Sequence, residues 1–290
     1  MCADRRVVRA TLPADPQTVR AALAAGDPGA SLHMPSPARM YDYYLDGKNN
    51  FEVDREAAER ALMYVPSGRE VARENRRFLV RAVRHVARAG VAQFLDIGTG
   101  FPTPPNVQQV ARRVNPHATV AYVDNDPVVA AHNRALLADP PGIAAVEGDI
   151  RDLGKVLADP EVQRVIDFSR PFCALFVASL HFVTDEEDPY AAVSLLREAM
   201  PAGSYLIVSH LSTEGTPAGV IGHVMDAYQG AAAPAVFRSQ RAIGQFFDGF
   251  ALEPPGIVPV GEWQRDKDEP PARVGNLGVL AGVGRHTGPA

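Results

Sequence analysis

Two apolar runs that end in acidic residues, with a glycine turn between them, constrain the fold of this chain most strongly. The first run ends at Asp96 and leads into Gly98-Thr99-Gly100, and the second run ends at Asp124. This order is typical of a buried strand, a tight turn, a helix and a second parallel strand. Glycine lets the backbone approach a ligand closely, and an acid after the second strand can bind both hydroxyls of a ribose. The sequence therefore predicts a site for a cofactor that contains adenosine.

The residues that follow Gly100 distinguish two classes of cofactor that use this layout. A nicotinamide or flavin site needs a third glycine, which lets the helix pack on the strand, but Thr103 occupies that position. S-adenosylmethionine (SAM) carries an ammonium and a sulfonium group instead of a phosphate, so the carboxylate of Asp96 can bind it by charge-assisted hydrogen bonds. We therefore expect SAM as the cofactor and keep an NAD-dependent oxidoreductase as an open alternative.

A third apolar run ends at Asp149 and extends the same pattern. We expect Asp149 to accept a hydrogen bond from the exocyclic amine of adenine and Ile150 to pack on the adenine ring. The alternative is that Asp96 and Asp149 only cap helices. The residues that we expect to bind the cofactor are Asp96, Gly98, Thr99, Gly100, Asp124, Asn125, Asp149, Ile150 and, at the end of the fourth strand, Ala178.

Two blocks of the chain resemble one known family. The first block runs from Phe94 to Thr103, and the second runs from Ala38 to Phe51. Residues 36 to 285 are in this way similar to the S-adenosyl methyltransferase family of high-GC bacteria, long described as a domain of unknown function. The family usually reads Gly-Gly-Lys-Asp-Asn-Phe at the end of the second block, and this chain departs from it at Asp46 and Asn49. The resemblance implies a class I methyltransferase fold, SAM binding and methyltransferase activity, but it implies no substrate.

Strand and helix patterns alternate from Val91 onward, which predicts a parallel sheet. We expect an α/β fold with a doubly wound, mostly parallel, seven-stranded Rossmann-like sheet and an N-terminal helical extension. Residues 1–88 would form the extension and a helical lid, and residues 89–290 would form the SAM-binding core. Strands are expected near 92–97, 118–124, 143–148, 172–178 and 204–210. The resemblance adds an antiparallel hairpin at 251–260 and 277–284.

Two histidines follow strands at the edge of the sheet where ligands bind. His181 comes just after the fourth strand and His210 ends the fifth, so either could act as a general base. The alternative is that they pack beside the pocket and form only local hydrogen bonds. A base is not required, because the cofactor supplies the reactive methyl group and the protein can act through alignment and desolvation.

The second family block is unusually rich in aromatic and polar side chains. We expect it to fold over the strand ends as a lid that lines the pocket. The alternative is an N-terminal helix that packs on the sheet for stability. The residues that we expect to line the pocket or bind substrate are Tyr41, Tyr44, Lys48, Asn50 and Phe51.

Composition and missing motifs narrow the function. The net charge of −5 disfavours a general nucleic-acid binder, and the sequence after the fourth strand lacks the Asn-Pro-Pro-Tyr pattern of adenine methylation. The two cysteines form no disulfide framework, which fits a cytoplasmic protein, and we find no metal-binding spacing, signal peptide or membrane span. We expect a SAM-dependent methyltransferase that modifies oxygen or nitrogen of a small molecule. A non-catalytic SAM-binding sensor or regulatory protein is the alternative function, and assembly as a homodimer is an open question of the sequence.

Overall fold

The structure of this chain is a computed structural model that describes residues 33–137, 141–269 and 275–288. The first part of the predicted N-terminal extension, residues 1–32, therefore lies outside the described residues. Within these ranges, no helix combines the length and the apolar character that crossing a membrane requires.

Three helices precede the sheet: α1 (Pro37–Tyr44), α2 (Glu52–Tyr64) and α3 (Gly68–Arg88). Proline at the first turn of α1 suits a helix start, because that position needs no N–H donor. One face of α3 is buried, as its helical period predicts, and it includes Val71, Phe78 and Val83. Arg69, Arg73, Arg77 and Arg84 lie on its other face and pair with carboxylates, so they form a solvated, salt-bridged surface.

The core alternates strands and helices. Its elements are β1 (Gln93–Ile97), α4 (Val107–Arg112), β2 (Thr119–Asp124), α5 (Pro127–Leu137), β3 (Ile143–Glu147), α6 (Leu153–Ala158), α7 (Pro160–Val165), β4 (Cys173–Val177), α8 (Pro189–Glu198), β5 (Tyr205–Ser212), α9 (Ala218–Tyr228), α10 (Gln240–Gln245), β6 (Phe250–Leu252), β7 (Val258–Pro259) and β8 (Gly278–His286). The strand order is β3-β2-β1-β4-β5-β8-β6, and β7 also pairs with β8. The first five strands run parallel, and β8 runs antiparallel to β5.

The predicted α/β fold, with a mostly parallel doubly wound sheet behind N-terminal helices, is confirmed. One detail differs from the prediction. The single strand expected at 251–260 is two short strands, β6 and β7, which both pair with β8, so the sheet has eight strands instead of seven. Pro254 and Pro255 lie at the division, and proline has no N–H with which to donate to a neighbouring strand.

The strand order places a crevice at the middle of the sheet. Strands β1 and β4 are neighbours, but the chain continues from β1 towards one edge of the sheet and from β4 towards the other. Such a reversal opens a space beyond the carboxyl ends of the two strands, where α/β sheets bind their ligands. Two buried apolar clusters support the sheet, and the larger one includes side chains of both α3 and the strands.

Candidate functional site

A cavity of about 810 Å³ lies at the carboxyl ends of β1 to β4. Its size falls within the range of small-molecule and cofactor sites. Residues of segment 34–41, which we call the cover, and of helix α3 also contribute to its wall. The structure brings together all nine residues that the sequence predicted for the cofactor, and each lines this cavity: Asp96, Gly98, Thr99, Gly100, Asp124, Asn125, Asp149, Ile150 and Ala178.

The glycine turn after β1 depends on a close approach to the loop after β4. Gly98 has a φ of +74°, a region that favours glycine. A Cβ atom at Gly98 would overlap with the Cβ atom of Ser179. The Ser179 hydroxyl donates a hydrogen bond of 2.9 Å to the carbonyl of Ile97, which holds the two loops together. The turn can therefore keep its position only with glycine at 98.

Asp96 is a buried carboxylate without a partner in the described part of the chain. The residue is 5% exposed, it lines the cavity, and no described group donates a hydrogen bond to its side chain. Burial raises the pKa of Asp96 to about 7, although the positive charge of Arg76 opposes this rise. An unpaired buried acid at a cavity suits a ligand that brings a cation, such as the ammonium group of SAM.

Asp124 also faces the cavity, but backbone groups hold it in place. Its carboxylate accepts hydrogen bonds from the N–H of Gly100 at 2.8 Å and of Asp126 at 3.0 Å. Burial raises the pKa of Asp124 to about 6, while these two hydrogen bonds oppose the shift. The fixed carboxylate retains acceptor capacity, because each oxygen has two lone pairs. Its placement at the end of β2 fits the two hydroxyls of a ribose.

Asp149 is paired with a cation that the sequence did not single out. The guanidinium of Arg151 donates to both of its oxygens at 2.8 and 2.6 Å, and Arg151 also pairs with Glu187 at 2.8 Å. Burial acts to raise the pKa of Asp149, but the Arg151 hydrogen bonds outweigh it and hold the pKa below its usual value. Asp149 also accepts from the backbone N–H of Arg151. It therefore caps a short turn, as the alternative expected, and lines the cavity as well.

A chain of hydrogen bonds connects the end of β4 to helix α1. Ala178 has a φ of +59°, uncommon for a residue with a side chain, and its N–H donates to the Ser209 hydroxyl at 2.9 Å. Ser209 donates to Asn75 at 2.6 Å, and the amide of Asn75 donates to the Tyr41 hydroxyl at 2.9 Å. Tyr41 in turn donates to the carbonyl of Ala72 at 3.1 Å. This chain of hydrogen bonds therefore connects Ala178 at the end of β4 with Tyr41 in the cover.

Only one of the five predicted lid residues lines the cavity, and that residue is Tyr41. Burial raises the pKa of Tyr41 above its usual value, so its hydroxyl remains protonated at neutral pH. Tyr44 lies instead in the apolar core, where its hydroxyl is 3.3 Å from that of Tyr228. The side chain of Phe51 is 39% exposed.

The remaining lid candidates belong to a loop held by Asp42. The buried Asp42 carboxylate accepts from the side chain of Asn50 at 2.7 Å and from the N–H of Asn49 at 2.8 Å. A Cβ atom at Gly47 would overlap with the Asp42 carboxylate, which explains the glycine here. Lys48 is exposed on this loop. The start of the second block, residues 38–41, therefore contributes to the lining of the cavity. The second half forms a loop whose hydrogen bonds to Asp42 fix its conformation.

Arg39 is a cavity residue that sequence reasoning missed. It is 1% exposed and forms ion pairs of 2.9 Å with both Asp54 on α2 and Asp126 at the start of α5. Asp126 follows the ribose-binding candidate Asp124 by two residues. Because Asp54 and Asp126 are distant from Arg39 in the sequence, no local sequence pattern indicates these ion pairs, although Arg39 lies within the second family block.

The two candidate bases are absent from the described lining of the cavity. His210 has both ring nitrogens engaged, because Arg238 donates to Nε2 at 2.9 Å and Nδ1 lies 2.7 Å from the carbonyl of Leu211. Burial lowers the pKa of His210 to about 3 and holds that of His181 well below its usual value. The base role stays a prediction, and these contacts favour the packing alternative.

Comparisons with known proteins agree with this arrangement. A family model described as S-adenosyl methyltransferase matches residues 28–287. Among solved structures, a Thermobifida fusca protein provisionally described as a methyltransferase is 39% identical, with a TM-score of 0.83 over 90% of this chain and 98% of that protein. A DUF574 family protein from Streptomyces avermitilis is 37% identical, with a TM-score of 0.83 over 88% of this chain and 99% of that protein.

An O-methyltransferase family protein from Burkholderia thailandensis is similar in fold alone, with 14% identity and a TM-score of 0.50 over 86% of this chain and 64% of that protein. No curated protein sequence matched the chain. The family match spans most of the chain, and its cofactor fits the unpaired Asp96 and the fixed Asp124 at the strand ends. The chain therefore belongs to the S-adenosyl methyltransferase family, and its cofactor is S-adenosylmethionine.

Proposed function

We propose that this protein transfers the methyl group of SAM to an oxygen or nitrogen atom of a small, uncharged and largely apolar molecule. The observation that carries this proposal is the uneven lining of the cavity. The lining holds acids at the strand ends and also a set of apolar side chains. We call this set the apolar part, and it consists of Leu79, Val177, Phe182, Val183, Ala232 and Ala233, with Tyr41 and Asn75 as polar lining residues that we group with it.

The charged side chains of the described lining support an uncharged acceptor. Arg39 is paired with Asp126 and Arg151 with Asp149, so these charges are balanced. Arg76 has no carboxylate partner among the described residues, and it contacts the loop at Thr103 and Pro105 that follows the glycine turn. Beside the apolar part, the Tyr41 hydroxyl has one lone pair left after its contacts with Asn75 and Ala72. It can therefore accept a hydrogen bond from an acceptor O–H or N–H group. The apolar side chains of the lining offer a charged acceptor no ion-pair partner in exchange for its lost hydration.

The cover of the cavity supports a small acceptor over a macromolecule. Segment 34–39 lies on the cavity, and the carbonyl of Pro35 accepts a hydrogen bond of 2.8 Å from the N–H of Ala232. Arg39 attaches the same segment to α2 and α5 through buried ion pairs. Such a cover excludes water and aligns the reactants, which is the main contribution that a methyltransferase needs from its protein.

The test is an acceptor screen that measures the release of S-adenosylhomocysteine (SAH). We expect turnover with one or more neutral bicyclic phenols or amines, and none with their carboxylate analogues, with transfer RNA or with duplex DNA. Turnover with a nucleic acid alone would contradict the proposal. Saturable SAH binding without turnover on any acceptor would favour the sensor alternative.

A single substitution can test whether the acceptor and the cofactor bind in different parts of the cavity. Ala233→Phe fills space beside the apolar wall, so we expect a raised KM for the acceptor and an SAH affinity within about twofold of the original. The matched control is Ala218→Phe at the exposed start of α9, which should change neither value. An Ala233→Phe variant with unchanged acceptor kinetics would show that the acceptor binds elsewhere.

A further inference from the structure

Helix α3 carries one arginine that differs from its neighbours. Five of the seven arginines of this helix form ion pairs with carboxylates, and they are Arg69, Arg73, Arg77, Arg81 and Arg84, while Arg88 is exposed at the end of the helix. Arg76 lines the cavity instead, and within the described ranges no carboxylate lies within 4.0 Å of its guanidinium. Its positive charge is therefore directed to the site without a paired anion.

The contacts of Arg76 place its guanidinium beside the glycine turn. One terminal nitrogen, Nη2, donates to the backbone carbonyls of Thr103 at 2.7 Å and of Pro105 at 3.0 Å. These residues directly follow the turn at Gly98 and Gly100. The donors on Nε and Nη1 form no hydrogen bond with the described residues, so they are available to a ligand.

Arg76 and Asp96 present opposite charges to the same cavity. They are close enough for the guanidinium to influence the titration of Asp96, yet they form no ion pair with each other. A separated cation and anion fit a ligand that carries both charges, such as the amino-acid end of SAM. The planar guanidinium can bind a carboxylate through two parallel hydrogen bonds, an arrangement that a lysine cannot form.

We propose that Arg76 binds the α-carboxylate of the methionine part of SAM, opposite the ammonium group that Asp96 binds. This assignment rests on SAM as the cofactor and is independent of the acceptor. It makes Arg76 a residue that discriminates intact SAM and SAH from adenosine compounds without the carboxylate. The competing role is purely structural, in which Arg76 only holds the loop at Thr103 and Pro105 in place.

A comparison of two ligands in two proteins separates these roles. The ligands are SAH and its decarboxylated analogue S-adenosyl-3-thiopropylamine, which keeps the amine, the thioether and adenosine. Calorimetric titration should show that the original protein prefers SAH by about 10–100-fold, the factor expected for a charge-assisted pair. In Arg76→Gln this preference should fall to less than about threefold, because the partner of the carboxylate is gone.

The control is Arg77→Gln, the next residue on the helix, whose side chain pairs with Glu74 away from the cavity lining. It should keep the full preference for SAH. A loop-supporting role would weaken both ligands equally in Arg76→Gln and leave the preference intact, and that result would overturn the proposal. Binding of neither ligand by the original protein would instead overturn the cofactor assignment.

A second variant covers the case in which Arg76→Gln does not fold. Arg76→Met keeps the length of the aliphatic stem and removes the charge, and the same loss of preference is expected. Should both variants fail to fold, the original protein alone decides, because equal affinity for the two ligands would contradict any carboxylate-binding cation in the site.

Discussion

Asp96 and Asp124 are two buried acids whose charge depends on what the cavity holds. Burial raises the pKa of Asp96 to about 7 and that of Asp124 to about 6. A ligand that brings an ammonium group and hydroxyl donors stabilises the ionised forms of both acids. Cofactor binding should therefore be coupled to the release of protons near neutral pH.

The first prediction concerns the pH dependence of SAH affinity. Because the ammonium group pairs with ionised Asp96, affinity should fall as the pH decreases from 8 to 6, with a limiting slope of about tenfold per pH unit below the pKa of the free protein. Calorimetric titration at pH 8, 7 and 6 measures this. Asp96→Asn should bind SAH more weakly at pH 8 and vary less with pH. An affinity of the original protein that stays constant over this range would contradict the pairing.

The second prediction concerns the ribose. Asp124→Ala removes a charge-assisted hydrogen-bond acceptor, so SAH binding should weaken by about 1.5–3 kcal/mol, or roughly ten- to a hundredfold. The control is Asp152→Ala, since Asp152 is an exposed carboxylate paired with Lys155 and is absent from the described lining of the cavity. If Asp124→Ala binds SAH as tightly as Asp152→Ala does, Asp124 is not part of the site.

At the scale of elements, Arg39 connects the cover of the cavity to the core. Its two ion pairs, with Asp54 and Asp126, link α1 to α2 and to the residue that precedes α5. All three side chains are at most 8% exposed. Asp54 also accepts hydrogen bonds from the backbone N–H groups of Ser36 and Phe51. The position of the cover therefore depends on one buried polar cluster.

The third prediction follows from the burial of this cluster. Arg39→Met leaves two buried carboxylates without their cation, so the free energy of unfolding should fall by about 3–5 kcal/mol. Arg69→Met, which removes partly exposed ion pairs with Asp46 and Glu59, should cost less than about 1 kcal/mol. Denaturant unfolding of both variants measures the two losses. Small and equal losses would show that the Arg39 cluster does not stabilise the cover.

The strands and helices also show which parts of the site the sequence alone predicts. Strand ends were predictable, because an apolar run that stops at an acid marks both the strand and the edge of the sheet, and the three acids chosen this way, Asp96, Asp124 and Asp149, line the cavity. The contributions of Arg39, Arg76 and Arg151 were not, because each depends on how distant segments dock. Pro254-Pro255 is a sequence signal for the division between β6 and β7, but the hairpin that the family resemblance implies led us to expect one continuous strand.

The second family block, Ala38 to Phe51, also shows what the sequence alone does not predict. A polar and aromatic stretch indicates that its residues have partners, but it does not say which ones. Tyr41 faces the cavity, whereas Asn50 binds Asp42 and Tyr44 enters the core. Likewise, the sequence places His181 and His210 near strand ends, but in the structure His210 lies within β5, and Arg238 donates a hydrogen bond to its Nε2.

At the scale of the molecule, the N-terminal helices and the sheet form one site and share one core. The boundary after residue 88 stays a prediction, and Arg88 is the last residue of α3. One apolar cluster nevertheless includes Met40 and Phe78 from the helices together with Phe94 and Ile207 from the strands. The cavity likewise combines residues from both parts. Cofactor binding should therefore stabilise the helices and the sheet together.

The most direct test of this account is a calorimetric titration of the purified protein with SAM, SAH and NAD. The account predicts saturable binding of SAM and SAH with one site per chain and no response to NAD, because Thr103 replaces the third glycine of a dinucleotide site and the buried Asp96 lies where a pyrophosphate would be repelled. Binding of NAD, or no binding of either SAM or SAH, would contradict it.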